Sequence, residues 1–432
     1  MSETVKTGNY RWTVCALIFF ATTVNYLDRQ VIGILKPMLE ADLGIGEKAY
    51  SHIIMAFQLS YAIGMVIAGR LIDKFGTKLG YGISVLVWSI AAMGHAFAKG
   101  VFGFGFWRAL LGFSEAGNFP AAIKTVAEWF PKKERALATG IFNSGTNVGA
   151  IIAPLAVPAI VIAWGWQAAF IITGAIGFLW IVLWMIFYDI PQRHKKVKAA
   201  ELAHITSDVD EQNEPTTSIP WVKLFKYRQT WLFLIGKGLT DPVWWFYLFW
   251  IPGWLADVRG TGLDVKSFGL PLAFIYTATT VGSIGGGWLS SFMIKKGMTP
   301  FRARSITMLI FAFLVTPILF ATSASISTWG AVFLIALAAA SHQAWSANIF
   351  TTVSDAFPKR AVSSVTGIGG MAGALGGAFI SYIAGAILDF YKKAGHVETG
   401  YVLMFGIAAS AYLVAWVIMN VFAPKNKMVV ID

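Results

Sequence analysis

Thr125–Ile141 reads TVAEWFPKKERALATGI, and Thr352–Ile368 reads TVSDAFPKRAVSSVTGI. The two align without a gap at a constant offset of 227 positions; Thr, Val, Phe, Pro, Lys, Thr, Gly and Ile coincide, and Gly149 falls on Gly376. Each copy is a polar turn with an apolar run on either side. Working outward from the turns, apolar runs cover residues 12–35, 50–71, 79–98, 102–126, 137–160 and 167–188, then 229–254, 267–293, 303–322, 328–352, 362–388 and 400–422. The offset pairs the fourth run with the tenth and the fifth with the eleventh.

Runs of about 20 apolar residues have the length a helix needs to cross a bilayer. Of the 432 residues 56% are hydrophobic and 13% charged, and the mean hydropathy is +0.64. Soluble domains are roughly 25% charged, so this chain could not cover a water-facing surface. The expected fold is an all-α membrane protein of twelve transmembrane helices in two pseudo-symmetric six-helix bundles. Residues 1–188 would form the first bundle, 189–228 a linker, and 229–432 the second. Repeats related by an axis along the membrane normal characterise one large group of secondary transporters.

The net charge of +12 does not point to nucleic acid, because the basic residues are scattered over short loops. With the N-terminus placed in the cytosol, Lys and Arg concentrate on the cytosolic side, at both termini and in 70–78, 131–136, 189–228, 294–304 and 353–361. The opposite side holds only Lys36, Lys48, Lys99, Arg259, Lys266, Lys392 and Lys393. That bias follows the positive-inside rule and predicts cytosolic N- and C-termini. The single cysteine, Cys15, excludes an intrachain disulfide and a thiolate metal site. The first apolar run lacks a small-residue cleavage pattern and is expected to be a retained span.

With Arg70 and Arg304 counted in the cytosolic loops, seven formal charges fall inside the runs: Asp28, Arg29, Arg108, Glu115, Lys124, Lys237 and Asp241. Facing lipid, each would cost roughly 2.5–3.5 kcal/mol, so they must pair, snorkel or line a wet interior. Arg108 and Glu115, seven apart, share a helix face. Arg29 or Arg108 could grip a carboxylate through the planar guanidinium fork, with Glu115 or Asp28 as the proton site. An internal ion pair that locks helices is the competing reading. Lys237 and Asp241, at i and i+4, can satisfy each other; Pro242 should interrupt their helix, and Trp244, Trp245, Phe246, Tyr247 and Trp250 follow. Those aromatic faces suit either a sugar or the bilayer interface. Lys124 is expected to snorkel. The offset carries Glu115 onto His342, beside Gln343, Ser346 and Asn348, as a midplane site on two related spans would require.

Gly282–Gly287 (GSIGGG) has the look of a phosphate loop but lies inside an apolar run with no preceding strand, so close helix packing explains it better. No nucleophile–base pair, cofactor motif or metal-ligand spacing is present, and no enzyme is expected.

The turn Gly69–Arg–Leu–Ile–Asp73–Lys74–Phe–Gly76–Thr–Lys78 resembles the G-x-L-x-D-R-x-G-R-K signature of the major facilitator superfamily, with a degraded copy from Gly287 to Gly297. Within it the chain resembles the anion:cation symporter branch through Tyr26–Leu–Asp28–Arg29, Arg108 with Glu115–Ala116 and Pro120, and Trp129–Phe130–Pro131–Lys–Lys–Glu134–Arg135. His342–Gln343–Ala344, Pro242–x–Trp244 and Trp250–Ile–Pro252 are most similar to hexuronate carriers, while Thr146 and Gly370 depart from galactonate carriers. The resemblance implies proton-coupled symport of a sugar acid such as galacturonate, glucuronate or a related aldonate or aldarate, by alternating access. Arg29, Tyr26, Tyr61, Asn143, His342, Gln343 and Asn348 would bind substrate; Asp28, Glu115 and Arg108 would couple the proton. Gly69, Asp73, Lys74 and Gly76 would form a cytosolic gate. The partners implied are an anionic substrate, a coupling cation (H+) and the lipid bilayer, for a monomer in the plasma membrane, the inner membrane in a Gram-negative cell. Sodium coupling, or a sugar-acid sensor without transport, are the alternatives.

Overall fold

The computed structural model describes residues 8–207, 221–261, 265–323, 325–357 and 359–422, and among them every regular element is a helix. The first set comprises α1 (Tyr10–Leu43), α2 (Glu47–Phe75), α3 (Thr77–Gly94), α4 (Gly100–Glu115), α5 (Asn118–Trp129), α6 (Lys132–Trp164) and α7 (Trp166–Phe187). Two short helices follow, α8 (Ala199–Ile205) and α9 (Trp221–Leu224). The second set is α10 (Arg228–Arg259), α11 (Leu270–Lys295), α12 (Pro300–Val315), α13 (Thr328–Ala356), α14 (Lys359–Lys393) and α15 (Val397–Phe422).

Eight of these helices, among the described residues, are long and apolar enough to cross a membrane. Of the others, α1 carries Asn25, Asp28, Arg29 and Gln30 within its length and α10 carries Lys237 and Asp241, while α4 has only 16 residues. The surface pattern is that of a bilayer protein: Phe102, Ile162, Ile284 and Phe379 are exposed, whereas Asp28, Arg29, Arg108 and Glu115 are buried. A water-facing protein does the reverse.

The repeat shows in the packing. The contact of α1 with α6 recurs as α10 with α14, α2 with α4 recurs as α11 with α13, and α3 with α7 recurs as α12 with α15. Helix ends repeat too. Gly44 closes α1 at φ +63° and Gly260 closes α10 at φ +62°. In both, the glycine N–H and that of the next residue turn back to the last carbonyls, the Schellman arrangement whose left-handed residue a side chain would strain. The two sets meet where α2 lies on α14, α6 on α11 and α1 on α10, an exchange that is itself symmetric.

Two expectations about helix continuity are corrected. The run 102–126 is broken at Ala116–Gly117 into α4 and α5. Pro120 has no N–H, so the Ala116 carbonyl loses its helical partner, and Gly117 N bonds Ser114 O in a tighter turn. Conversely, Pro242 does not interrupt its helix. α10 passes through both Pro242 and Pro252 without a break, with the prolines buried against neighbouring helices that over-determine the path. Lys124, expected to snorkel, reaches the Ile72 carbonyl of α2 at 3.4 Å.

The described part of 189–228 does not hang free. Glu201 of α8 is buried and accepts from Arg11 N at 3.1 Å, and Glu134 accepts from Arg11 Nε at 2.8 Å and bonds His204 at 2.9 Å. Arg11 thereby ties α1, α6 and α8 together. The acidic residues Asp208, Asp210, Glu211 and Glu214 lie outside the described residues.

Candidate functional site

The buried charges of the first set converge. Arg29 of α1 donates from Nε and Nη2 to Glu115 Oε2, at 3.0 and 2.8 Å, and from Nη2 to Asn25 Oδ1 at 3.3 Å. Glu115 is the last residue of α4, at the break that Pro120 imposes. Both side chains are nearly inaccessible, 4% for Arg29 and none for Glu115. A pair so deep persists only because each charge neutralises the other. Its capacity is unfilled, since among the described residues Glu115 Oε1 and Asn25 Nδ2 have no hydrogen-bond partner.

Four aromatic rings box the Arg29 guanidinium: Tyr26 at 4.7 Å, Tyr61 at 5.0 Å, Phe57 at 5.2 Å and Trp245 at 5.7 Å. A cation over ring faces in a dry setting is held by the ring quadrupoles, by up to about 2 kcal/mol each. Trp245 belongs to α10, so the box closes across the seam between the two sets. Arg108 lies behind it, donating from Nη2 to the Arg29 carbonyl at 3.2 Å and lying 4.8 Å from the Phe57 ring centre and 5.6 Å from Phe249. Among the described residues its Nε and Nη1 have no hydrogen-bond partner, and buried Asp28 has no partner but the Thr173 hydroxyl. Orphaned donors and acceptors this close are where bound water or a travelling proton would find partners.

The second set presents a different pole. His342 Nδ1 is 2.7 Å from Tyr412 Oη, and its ring stacks on Trp244 at 5.2 Å with the planes 7° apart. The register of the repeat gives this pair meaning. Gly149 of α6 abuts the Thr23 carbonyl of α1, and Gly376 of α14 abuts the Gly238 carbonyl of α10. Six residues beyond those contacts stand Arg29 and Trp244. Since the sequence offset matches Glu115 with His342, the stacked Trp244–His342 pair occupies the place of the Arg29–Glu115 ion pair. One pole is ionic and its counterpart aromatic.

The remaining sequence candidates are spread out. Tyr61 and Tyr26 belong to the Arg29 box. Asn348 donates to Gly286 O at 3.0 Å and Ala344 O at 2.9 Å, which fixes α13 on α11. Gln343 is half-buried and Asn143 exposed. Lys237 and Asp241 pair at 2.7 Å. The glycine run packs as expected at Gly282, against the Ala340 carbonyl, and at Gly286, where a Cβ would come within 2.6 Å of Ala344 Cα, whereas Gly285 and Gly287 face open space. Of the gate motif, Gly69 and Asp73 belong to the last turns of α2, Gly76 turns the chain at φ +79° and Lys74 is exposed.

Spacing gave no sign of a second cluster, at the far face where α1 and α10 end. Lys36 pairs with Glu47, and lies 3.6 Å from Asp257. Lys392 reaches Glu40 at 2.6 Å, Asp257 at 3.0 Å and Glu47 at 3.8 Å. Trp250 Nε1 donates to Glu47 at 3.2 Å. Three acidic groups gather within 4.8 Å, and two ammonium groups sit where a metal ion would. These bonds join α1 and α2 to α10 and α14, and with Tyr50 Oη donating to Phe249 O and Ser381 Oγ to Gln58 they stitch the two sets together.

Residues 18–381 match the Major Facilitator Superfamily. The chain is 31% identical over 390 residues to the hexuronate transporter of Escherichia coli K12, covering 89% of each protein. It is 33% identical over 295 residues to the galacturonate transporter of Dickeya chrysanthemi, covering 67% of this chain and 84% of that one. Among solved structures, a bacterial homologue of the human lysosomal transporter Spinster, inward-facing and occupied, shares the fold with a TM-score of 0.74 at 18% identity, over 98% of each chain. The protein is therefore a membrane transporter rather than an enzyme, and belongs to the Major Facilitator Superfamily.

Proposed function

We propose that this protein is a proton-coupled symporter of a hexuronate-type sugar acid, such as galacturonate or glucuronate, or a related aldonate or aldarate. The observation that carries the reading is the Arg29–Glu115 pair, buried in an aromatic box whose fourth wall comes from the other helix set. The hexuronate and galacturonate transporters among its relatives support the substrate class.

The geometry couples the two solutes through competition for one guanidinium. With Glu115 ionised, Arg29 is occupied on both Nε and Nη2 and has little to offer an incoming carboxylate. A proton delivered to Glu115 discharges that partner, and the freed fork takes the substrate carboxylate bidentately. Proton and anion then enter together, and the paired charge inside the protein stays balanced. Asp28 and Arg108, buried close behind the pair, supply the route for the proton. The sugar ring lies toward the Trp244–His342 pole, where an aromatic face meets C–H groups and the imidazole meets hydroxyls.

Twelve spans with both termini in the cytosol accord with the distribution of basic residues, in the plasma membrane and as a monomer. Transport then follows from rocking of residues 1–188 against 229–432, with the Lys36–Glu47–Asp257–Lys392 cluster holding the non-cytosolic side shut.

Reconstituted vesicles test this. Glu115→Gln should abolish uphill, proton-driven uptake of galacturonate while sparing exchange of internal for external substrate. Undiminished accumulation against a gradient refutes the coupling role, and uptake driven by sodium alone selects the sodium-coupled alternative.

A further inference from the structure

One internal ion pair is left unused by that mechanism. Lys237 and Asp241 stand on successive turns of α10, Nζ to Oδ2 2.7 Å. Lys237 is 5% exposed, with its ammonium 4.2 Å from the Phe350 ring centre. Asp241 keeps 17% of its side-chain surface open. A side chain at Gly373 of α14 would meet the Asp241 carboxylate, so the two lie face to face. Trp244, on the next turn of α10, stacks on His342. Trp245, one turn along, closes over Arg29. The pair thus lies between the ionic pole and the aromatic pole, with its anionic member the more open.

Keeping two charges in this position is costly, and two apolar side chains would pack α10 on α14 as well. An ionised carboxylate only accepts hydrogen bonds. It welcomes the O–H donors of a polyol and repels a second anion. We propose that Asp241, backed by Lys237, reads the end of the substrate remote from Arg29, admitting a hydroxylated end and turning away a second carboxylate. The assignment rests on the sugar-acid reading above and narrows it. The substrate is a sugar monocarboxylate, a uronate or aldonate, and the dicarboxylic aldarates are excluded by like charge.

Full-length protein in detergent, titrated with galacturonate and with galactarate, tests the filter by competition binding. Wild type should bind galacturonate at least about ten-fold more tightly. Asp241→Asn leaves the Lys237 ammonium free to meet a second carboxylate, so the ratio should shift toward galactarate by about ten-fold or more. Adding Lys237→Met should cancel most of that shift, because the ammonium is its source. Asp241→Glu, which keeps the charge, should keep the wild-type preference, and decides the matter if Asp241→Asn does not fold. Equal affinity of wild type for both acids overturns the filter but leaves the sugar-acid reading standing, as does an unchanged ratio in folded Asp241→Asn. Binding of neither acid overturns both.

Discussion

Replacing Lys392 with alanine should open the far face of the protein. Lys392 is the cation that α14 lends to three carboxylates: it bonds Glu40 at 2.6 Å and Asp257 at 3.0 Å, and lies 3.8 Å from Glu47. Glu40 and Glu47 belong to α1 and α2, so these contacts span the seam between the two helix sets. Without Lys392, Glu40 loses its ion pair and Glu47 and Asp257 are left with Lys36, and repulsion adds to the lost attraction. Hydrogen bonds to charged groups contribute about 1.5–3 kcal/mol each. The Lys392 side chain is 29% exposed, so solvent screening and side-chain freedom reduce two such bonds to about 2 kcal/mol together. That corresponds to about a thirty-fold shift in the ratio of closed to open far face. The chain suits a spin-label measurement because Cys15 is its single cysteine and is buried in the core, its thiol in a weak 3.7 Å contact with the Ala138 carbonyl. In a Cys15→Ala background, labels at exposed Lys48 and Ala394 report the separation of the two sets. Lys392→Ala should add a longer-distance population absent from the parent. A distance distribution matching the parent's, in protein that remains folded, refutes the idea that this cluster holds the face shut.

Two further outcomes follow from the same geometry. Gly282→Val should impair folding, because a side chain there runs into the backbone carbonyl of Ala340, whereas Gly285→Val, facing open space, should be tolerated; equal yield and thermal stability of the two variants would contradict the packing role. Glu134 is pushed up by burial, but the Arg11 and His204 hydrogen bonds outweigh this and hold it below the usual carboxylate range. Its contribution to docking α8 is complete above the unfolded value of about 4.3 and is lost as pH falls through the lowered one. Amide exchange in α8, corrected for intrinsic rates, should therefore accelerate only at acid pH in wild type and already at pH 7 in Glu134→Gln.

Much of the site was legible because charges at bilayer depth are conspicuous. Arg29, Glu115, Asp28 and Arg108 stood out for their cost in hydrocarbon, and the Lys237–Asp241 pair for its spacing on one helix. What spacing could not give was who pairs with whom between helices. Arg108 and Glu115, two turns apart on one face, invite a direct pairing, yet the Glu115 bonds go to Arg29, 86 positions away, and Arg108 turns to the Arg29 carbonyl. Tyr412, which holds His342, gave no signal, since a tyrosine in an apolar run looks like packing. Of the far-face cluster only Lys36 and Lys392 were counted, and only for topology, while Glu40, Glu47 and Asp257 gave no signal.

The sequence by itself determined that this is a helical membrane protein built from a repeated unit. Bilayer crossing needs long apolar runs, and a duplicated packing surface needs duplicated residues, both of which are properties of the chain read in order. The tertiary structure alone decided that Arg29 meets Glu115, that Trp244 with His342 occupies the equivalent place in the other set, and that five charged side chains from α1, α2, α10 and α14 meet at one face. Those contacts depend on how far each helix is turned and slid against its neighbours. That is settled by side-chain interdigitation along the whole interface, glycine by glycine, and no local stretch of sequence contains it.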